Sequence, residues 1–235
     1  MTDLREKILS NIRTHGFHIT FVKAGVVPRF AYTIGLSNKL DPELLIAGGS
    51  YFSEQELFKI IEALANKGFD GNRMETEYGV FQGKLVHESW KSLLMLGAND
   101  ILDKKFDAIQ IVPEDIGRLT MDIPDASIER SRDTSRSWRW LSDIWSFPIP
   151  KQSVAITNMD ALRGSCITEA SRWEVDEWHL FAGHGPSVTQ DDVRIVPLTT
   201  LLAEDESLAR IVKLKVGASI WRNNNESEWK RWAKK

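Results

Sequence analysis

Five histidines, one cysteine and three acidic runs are where chemistry would have to start in this 235-residue chain. Their spacing argues against most of it. None of His15, His18, His87, His179 and His184 stands in a zinc-helix pattern such as H-E-x-x-H. His179 and His184 would flank a turn at Ala182-Gly183, within reach of Asp191 or Asp192, but nothing in the spacing fixes a metal geometry. Cys166 falls in a strand-like run, where a lone cysteine acts as a small buried hydrophobe. No G-x-S-x-G elbow, phosphate loop or dinucleotide fingerprint is present. The carboxylates of Asp176–Glu177, Asp191–Asp192 and Glu204–Asp205–Glu206 are adjacent, so in a strand they would point to opposite faces and not work as an acid–base pair. The expectation is a protein that binds and does not catalyse, without metal or cofactor.

Charge and composition narrow the partner. The net charge is −3, which gives no general attraction to nucleic acid or anionic lipid. No apolar run is long enough to span a bilayer, so no membrane role is expected. The opening MTDLREKILSNIRTHG reads as a capped helix and not as a secretion signal, and one cysteine suits a reducing compartment, so the expected location is the cytoplasm. Residues 174–206 hold eight Asp or Glu against Arg194, whereas 210–235 hold eight Lys or Arg against Glu226 and Glu228. An acidic surface bearing Trp173, Glu174, Asp176, Glu177, Trp178, Asp191 and Asp192 would suit a basic protein partner.

The elements that must position these residues fall into two groups. Residues 1–119 contain one tryptophan, Trp90, and residues 138–235 contain the other eight. We read residues 1–119 as one domain, 120–150 as a linker with a short Trp-rich helix, and 151–235 as a second domain. In the first, a helical stripe ends at Gly16, and FHITFVKA and VVPRFAYTIGL form a hairpin. ELLIAGG is a buried strand, and Ser53 with Glu56 makes a capping box for a helix to about Lys67. YGVFQGKLVHE is a bent strand or strand pair, 89–102 a helix and 107–113 a strand. In the second, SVAITN, CITEASR, EWHLFAG, VRIVPL and GASIWR are strands, with a helix over about 199–211 and another in the tail from 226. The fold class is α+β, each domain a mainly antiparallel sheet with packed helices.

Within AYTIGL, alternation puts Thr33 and Gly35 on one face and Tyr32 on the other. Gly35 implies a close approach by another backbone or a ligand. The preferred reading is a small-residue face that accepts a helix. The alternative is a small-ligand or enzymatic module using His18, Tyr32, Thr33 and Gly35, with His87 as proton carrier. A third possibility is a homo-oligomer joined through the tryptophans of 138–145.

Two resemblances follow from these blocks. IRTHGFHITFV, PRFAYTIGL and DPELLIAGG in order resemble an uncharacterised bacterial domain-of-unknown-function family over roughly residues 5–115, which implies an α/β fold and supplies no established activity. The acidic-Trp block at Asp176–Phe181 and the spaced Asp205, Leu208, Ile211, Leu214 and Gly217 are similar to an immunity-protein family found beside polymorphic toxins, over about 151–232. That likeness implies a cognate protein toxin as partner, neutralised by steric occlusion.

Overall fold

The computed structural model describes residues 2–39, 41–184, 187–224 and 228–232. Two compact units result, each built on a six-stranded sheet. The first takes residues up to Lys23, Arg29–Leu119 and Ile123–Thr134; the second takes Ala24–Pro28, Thr120–Asp122 and the chain from Ser135. The α+β class holds, with both sheets mixed: each has one parallel pair among antiparallel neighbours.

In the first unit, helix α1 (Thr2–His15) leads into strands β1 (His18–Val22), β2 (Phe30–Ile34) and β3 (Glu43–Ala47). Helix α2 (Glu54–Asn66) follows, then β4 (Met74–Thr76), β5 (Gly79–Leu85), α3 (Glu88–Leu94), α4 (Leu96–Leu102) and β6 (Ala108–Pro113). The sheet order is β1-β2-β3-β6-β5-β4, with β3 and β6 parallel. The capping box forms as read: Glu56 N–H donates to Ser53 Oγ (3.2 Å) and Ser53 N–H to Glu56 Oε2 (2.7 Å). Leu57, Ile60, Ile61 and Leu64 recur on one face of α2 and sink into the core against Ala31, Leu44, Phe81 and Ile111. Burying each such aliphatic chain contributes about 1.5–3 kcal/mol.

The helix expected over 89–102 is two helices. Met95 leaves the helical region (φ −103°, ψ 40°). The next turn is drawn onto β2, where Gly97 N–H donates to the Tyr32 hydroxyl at 3.1 Å. A Cβ at position 97 would lie 2.8 Å from that oxygen, so only glycine lets the helix sit this close.

In the second unit, β7 (Val154–Asn158), α5 (Met159–Leu162), β8 (Ile167–Arg172), β9 (Glu177–Ala182) and β10 (Val193–Pro197) precede α6 (Leu198–Glu204). A 3₁₀ segment (Glu206–Lys213), β11 (Ser219–Trp221) and β12 (Lys230–Arg231) complete it, in the sheet order β10-β7-β9-β8-β11-β12. Two expectations fail here for tertiary reasons. The helix over 199–211 stops at Asp205, whose carboxylate caps Ser207 N–H (2.9 Å) and receives the buried Arg222 guanidinium (2.8 Å). The tail is not helical where it is described. Lys230–Arg231 pairs with β11, held by Trp232 against Trp221 (5.7 Å) and Arg222 over the Trp229 ring (4.4 Å). The rest of that expected helix, 225–227 and 233–235, lies outside the described residues.

The Trp-rich stretch is a 3₁₀ helix (Arg136–Leu141) packed on α6. Trp138 is fully buried and donates to Asp122 O (2.8 Å), and Trp140 donates to Thr199 O (3.1 Å). Among the described residues no helix is long and apolar enough to cross a membrane.

Candidate functional site

The second sheet has a covered face and an open one. Alternation along β9 sends Trp178, Leu180 and Ala182 into the core and leaves Glu177, His179 and Phe181 on the other side, half-buried. The register carries that division across the sheet. Ile195, Ile156, His179, Ser171 and Ser219 stand in one row over β10, β7, β9, β8 and β11. Ile195 is 69% exposed.

Trp173, at the β8–β9 turn, leans over this face. It is 60% exposed and stacks on the His179 ring with centroids 5.0 Å apart. His179 in turn meets Phe181 edge-on at 6.2 Å, and its Nε2 lies 3.3 Å from Glu177 Oε1. Arg172 fixes the turn from beneath. Its guanidinium donates to the carbonyls of Glu174, Val175 and Leu214 and lies 4.5 Å from the Trp178 ring centroid. With the backbone carbonyls so engaged, the side chains of Glu174, Val175 and Asp176 are left in solvent.

The residues expected as a partner surface do not all share it. Trp178 is fully buried, its indole N–H aimed at Ile211 O (3.4 Å), so it offers a partner no contact area. Asp191 and Asp192 are exposed in the turn that enters β10. Pairing of Val193 with Asn158 and of Val154 with Glu177 puts them at the opposite strand ends from the Trp173 turn. The row between those ends is about 13 Å long at ~3.3 Å per strand residue.

The alternative set in the first unit is dispersed. Thr33 and Gly35 surround the fully buried Glu43. The Glu43 carboxylate accepts from Thr33 Oγ1 (2.7 Å), Gly35 N–H (2.9 Å) and Ser37 N–H (3.0 Å), while Thr33 Oγ1 accepts from Leu44 N–H (2.8 Å). A Cβ on Gly35 would come within 3.1 Å of Ile12, so the glycine admits α1. Tyr32 is buried, which raises its phenol pKa, and the Gly97 N–H and Thr20 hydroxyl draw it part of the way back. His87 caps α3, its Nδ1 accepting from Ser89 N–H (3.2 Å). His18 is half-buried beside α1, with Nδ1 2.9 Å from Asn11 Nδ2, and burial followed by the nearby Lys7 charge lowers its pKa.

The other reactive groups are also spread out. Cys166 precedes β8 and is partly exposed, contrary to the expected burial, because the strand begins one residue later. His184 turns to Glu169 (3.3 Å) while His179 turns to Glu177. Among the described residues no three His, Cys, Asp or Glu are gathered to hold a metal ion. The residue that composition and motif searching missed is Glu43. Its signal was a lone carboxylate opening the otherwise apolar run ELLIA.

A family model described as a domain of unknown function (DUF4262) matches residues 11–118, which include the AYTIGL segment and Glu43. No curated protein and no solved structure matches the chain.

Proposed function

We propose that this is a non-catalytic bacterial cytoplasmic protein of the immunity type, which occupies a cognate toxin through the open face of the second sheet. The observation that supports this reading is the exposed Trp173, stacked on His179 at 5.0 Å and held over a face where Ile195 also stands in water. A well-supported aromatic leaning over the edge of a partly apolar face is the kind of side chain that can anchor a partner. Glu174, Asp176 and Glu177 at one end, and Asp191 and Asp192 at the other, give it an acidic border suited to a basic partner. The apolar centre would set the lifetime of the complex and the border its rate of formation.

The test is co-expression with the product of the neighbouring reading frame, reading growth rescue and the kinetics of the purified complex. Trp173→Ala is expected to weaken binding by roughly 30-fold or more, a loss of ~2 kcal/mol. Glu174→Gln with Asp176→Asn is expected to slow association and flatten its salt dependence. Absence of rescue by the wild-type protein, or rescue undiminished by Trp173→Ala and Ile195→Asp together, would overturn the proposal.

A further inference from the structure

The first unit has a groove bordered by α1 and α2, with core Phe17 at its base. Lys7, Asn11 and His15 are four residues apart on α1 and so share one side of that helix. Phe58, Glu62 and Asn66 repeat the spacing on α2, on a different side from the buried Leu57, Ile60, Ile61 and Leu64. The two stripes line one groove of about 460 Å³, together with Phe17, His18 and Ile19. A volume of this order suits a single small metabolite.

The polar groups of the groove have defined roles. An amide nitrogen only donates, so Asn11 Nδ2, 2.9 Å from His18 Nδ1, makes that ring nitrogen an acceptor. With that amide orientation the neutral imidazole carries its proton on Nε2. Burial and Lys7 favour that neutral form. One formal cation, Lys7, and one formal anion, Glu62, border the same space. Phe58 is 43% exposed and lines the same groove, one helical turn before Glu62 on α2.

We infer that this groove binds a free α-amino acid with an apolar side chain. Lys7 and His18 Nε2–H would receive the ligand carboxylate, Glu62 its ammonium, and Phe58 with Ile19 its side chain. A zwitterion satisfies both border charges at once, which a simple anion or amine does not. This reading concerns only the first unit and is independent of any toxin.

The experiment is an NMR titration of the isotope-labelled full chain, following the His18 ring and Asn11 side-chain amide, with L-phenylalanine, L-leucine and L-methionine as probes. N-acetyl-L-phenylalanine and phenethylamine each lack one of the two ligand charges. At least one of the three amino acids is expected to move both signals saturably, with Kd of roughly 1 mM or below. The two analogues, and the variants Lys7→Gln and Glu62→Gln, are each expected to bind about tenfold more weakly. Both positions are exposed, so unchanged thermal unfolding will separate lost binding from lost folding. No saturable shift with any of the three amino acids overturns the proposal. So does an analogue that binds as tightly as L-phenylalanine, because the groove would then be reading only an apolar group.

Discussion

Replacing Glu43 should damage the first unit more than any surface substitution, and by an amount the geometry sets. Between β2 and β3 the backbone ladder runs from Phe30–Ala47 to Tyr32–Leu45. Beyond that pair, side chains take over its duty. Thr33 Oγ1 receives Leu44 N–H, and the Glu43 carboxylate receives Gly35 N–H, Ser37 N–H and the Thr33 hydroxyl. Removing the carboxylate with Glu43→Ala leaves three donors without their acceptor. At about 1–3 kcal/mol for each orphaned buried group, the ceiling is roughly 9 kcal/mol. Water entering the vacated volume offsets part of this, so the expected loss is roughly 3–5 kcal/mol, a large share of a typical domain's stability.

Glu43→Gln separates the contributions. Its Oε1 can still accept both N–H groups, but its NH₂ faces the Thr33 oxygen, and the Thr33 hydroxyl proton loses its acceptor. One orphaned donor predicts about 1–3 kcal/mol, and Thr33→Val, which orphans Leu44 N–H and also takes the donor from Glu43 Oε2, should cost about 2–6 kcal/mol. Urea unfolding of the full chain gives the free energies, and amide exchange at Gly35, Ser37 and Leu44 reports the location. A 3 kcal/mol loss confined to this clamp would raise exchange at Gly35 and Ser37 by roughly a hundredfold. A Glu43→Ala variant within about 1 kcal/mol of wild type, or equal costs for Gln and Ala, would mean that the carboxylate does not hold these donors.

Arg222 should be the corresponding anchor of the second unit, since it donates to Ile167 O, Ser207 Oγ and Asp205 Oδ2 while only 4% exposed. Arg222→Ala is expected to cost about 3 kcal/mol, and Arg222→Lys nearly as much because a single ammonium cannot reach all three acceptors; denaturant titration checks both. Gly97→Ala places a methyl 2.8 Å from the Tyr32 hydroxyl and should cost about 1–3 kcal/mol. Most of that should return in the Gly97→Ala, Tyr32→Phe double variant, a coupling that thermal unfolding of the four proteins measures. The lowered pKa of His18 makes a pH prediction. The unfolded chain takes up this proton near pH 6.5 and the folded chain only at lower pH, so more protons bind the unfolded state in that window. Stability should therefore decline as pH falls below about 6.5, level off below the folded-state pKa, and lose this component in His18→Gln; unfolding free energies between pH 7 and pH 5 test the sign.

What could be read from the sequence was local, and what could not be read was distant. Ser53 and Glu56 lie three residues apart, so their capping box needs no knowledge of the fold, and β1 and β2 are strand-forming runs that neighbour each other in sequence and pair as a hairpin. The break at Met95 depends on Tyr32, whose hydroxyl meets Gly97 across 65 positions of sequence. The stop at Asp205 depends on Arg222, and the strand in the tail depends on Trp221. Glu43 stood in plain view in ELLIA, but its burial follows from the register of three strands. Trp173 and Trp178 show the same limit. They are five residues apart and of one type, yet one is 60% exposed and the other fully buried, because the turn at 173–176 lies outside the alternation that sends Trp178 inward.

The two sheets use their faces differently, and this difference bears on how a partner would approach. In β2 and β3 every residue is buried, as strands covered on both sides must be. In β9 burial alternates strictly, as in a sheet with one wet side. This wet side mixes Glu177, His179, Ser171 and Ser219 with the apolar Ile156, Ile195 and Phe181, and Trp173 bends over it. Its edges are less inviting. The outer strand β10 ends in Pro197, which has no N–H to offer an added strand, and includes Arg194; the opposite edge, β12, is only Lys230–Arg231. Short, charged or proline-bearing edges resist strand addition. The proposed partner should therefore dock face-on against the row through Ile195, Ile156 and His179, and a Lys placed at Ile195 should weaken the complex far more than a Pro placed at Val193, whose N–H points away from β7 at the sheet edge. The reverse order in a binding titration would mean that the sheet is extended at its edge and not covered on its face.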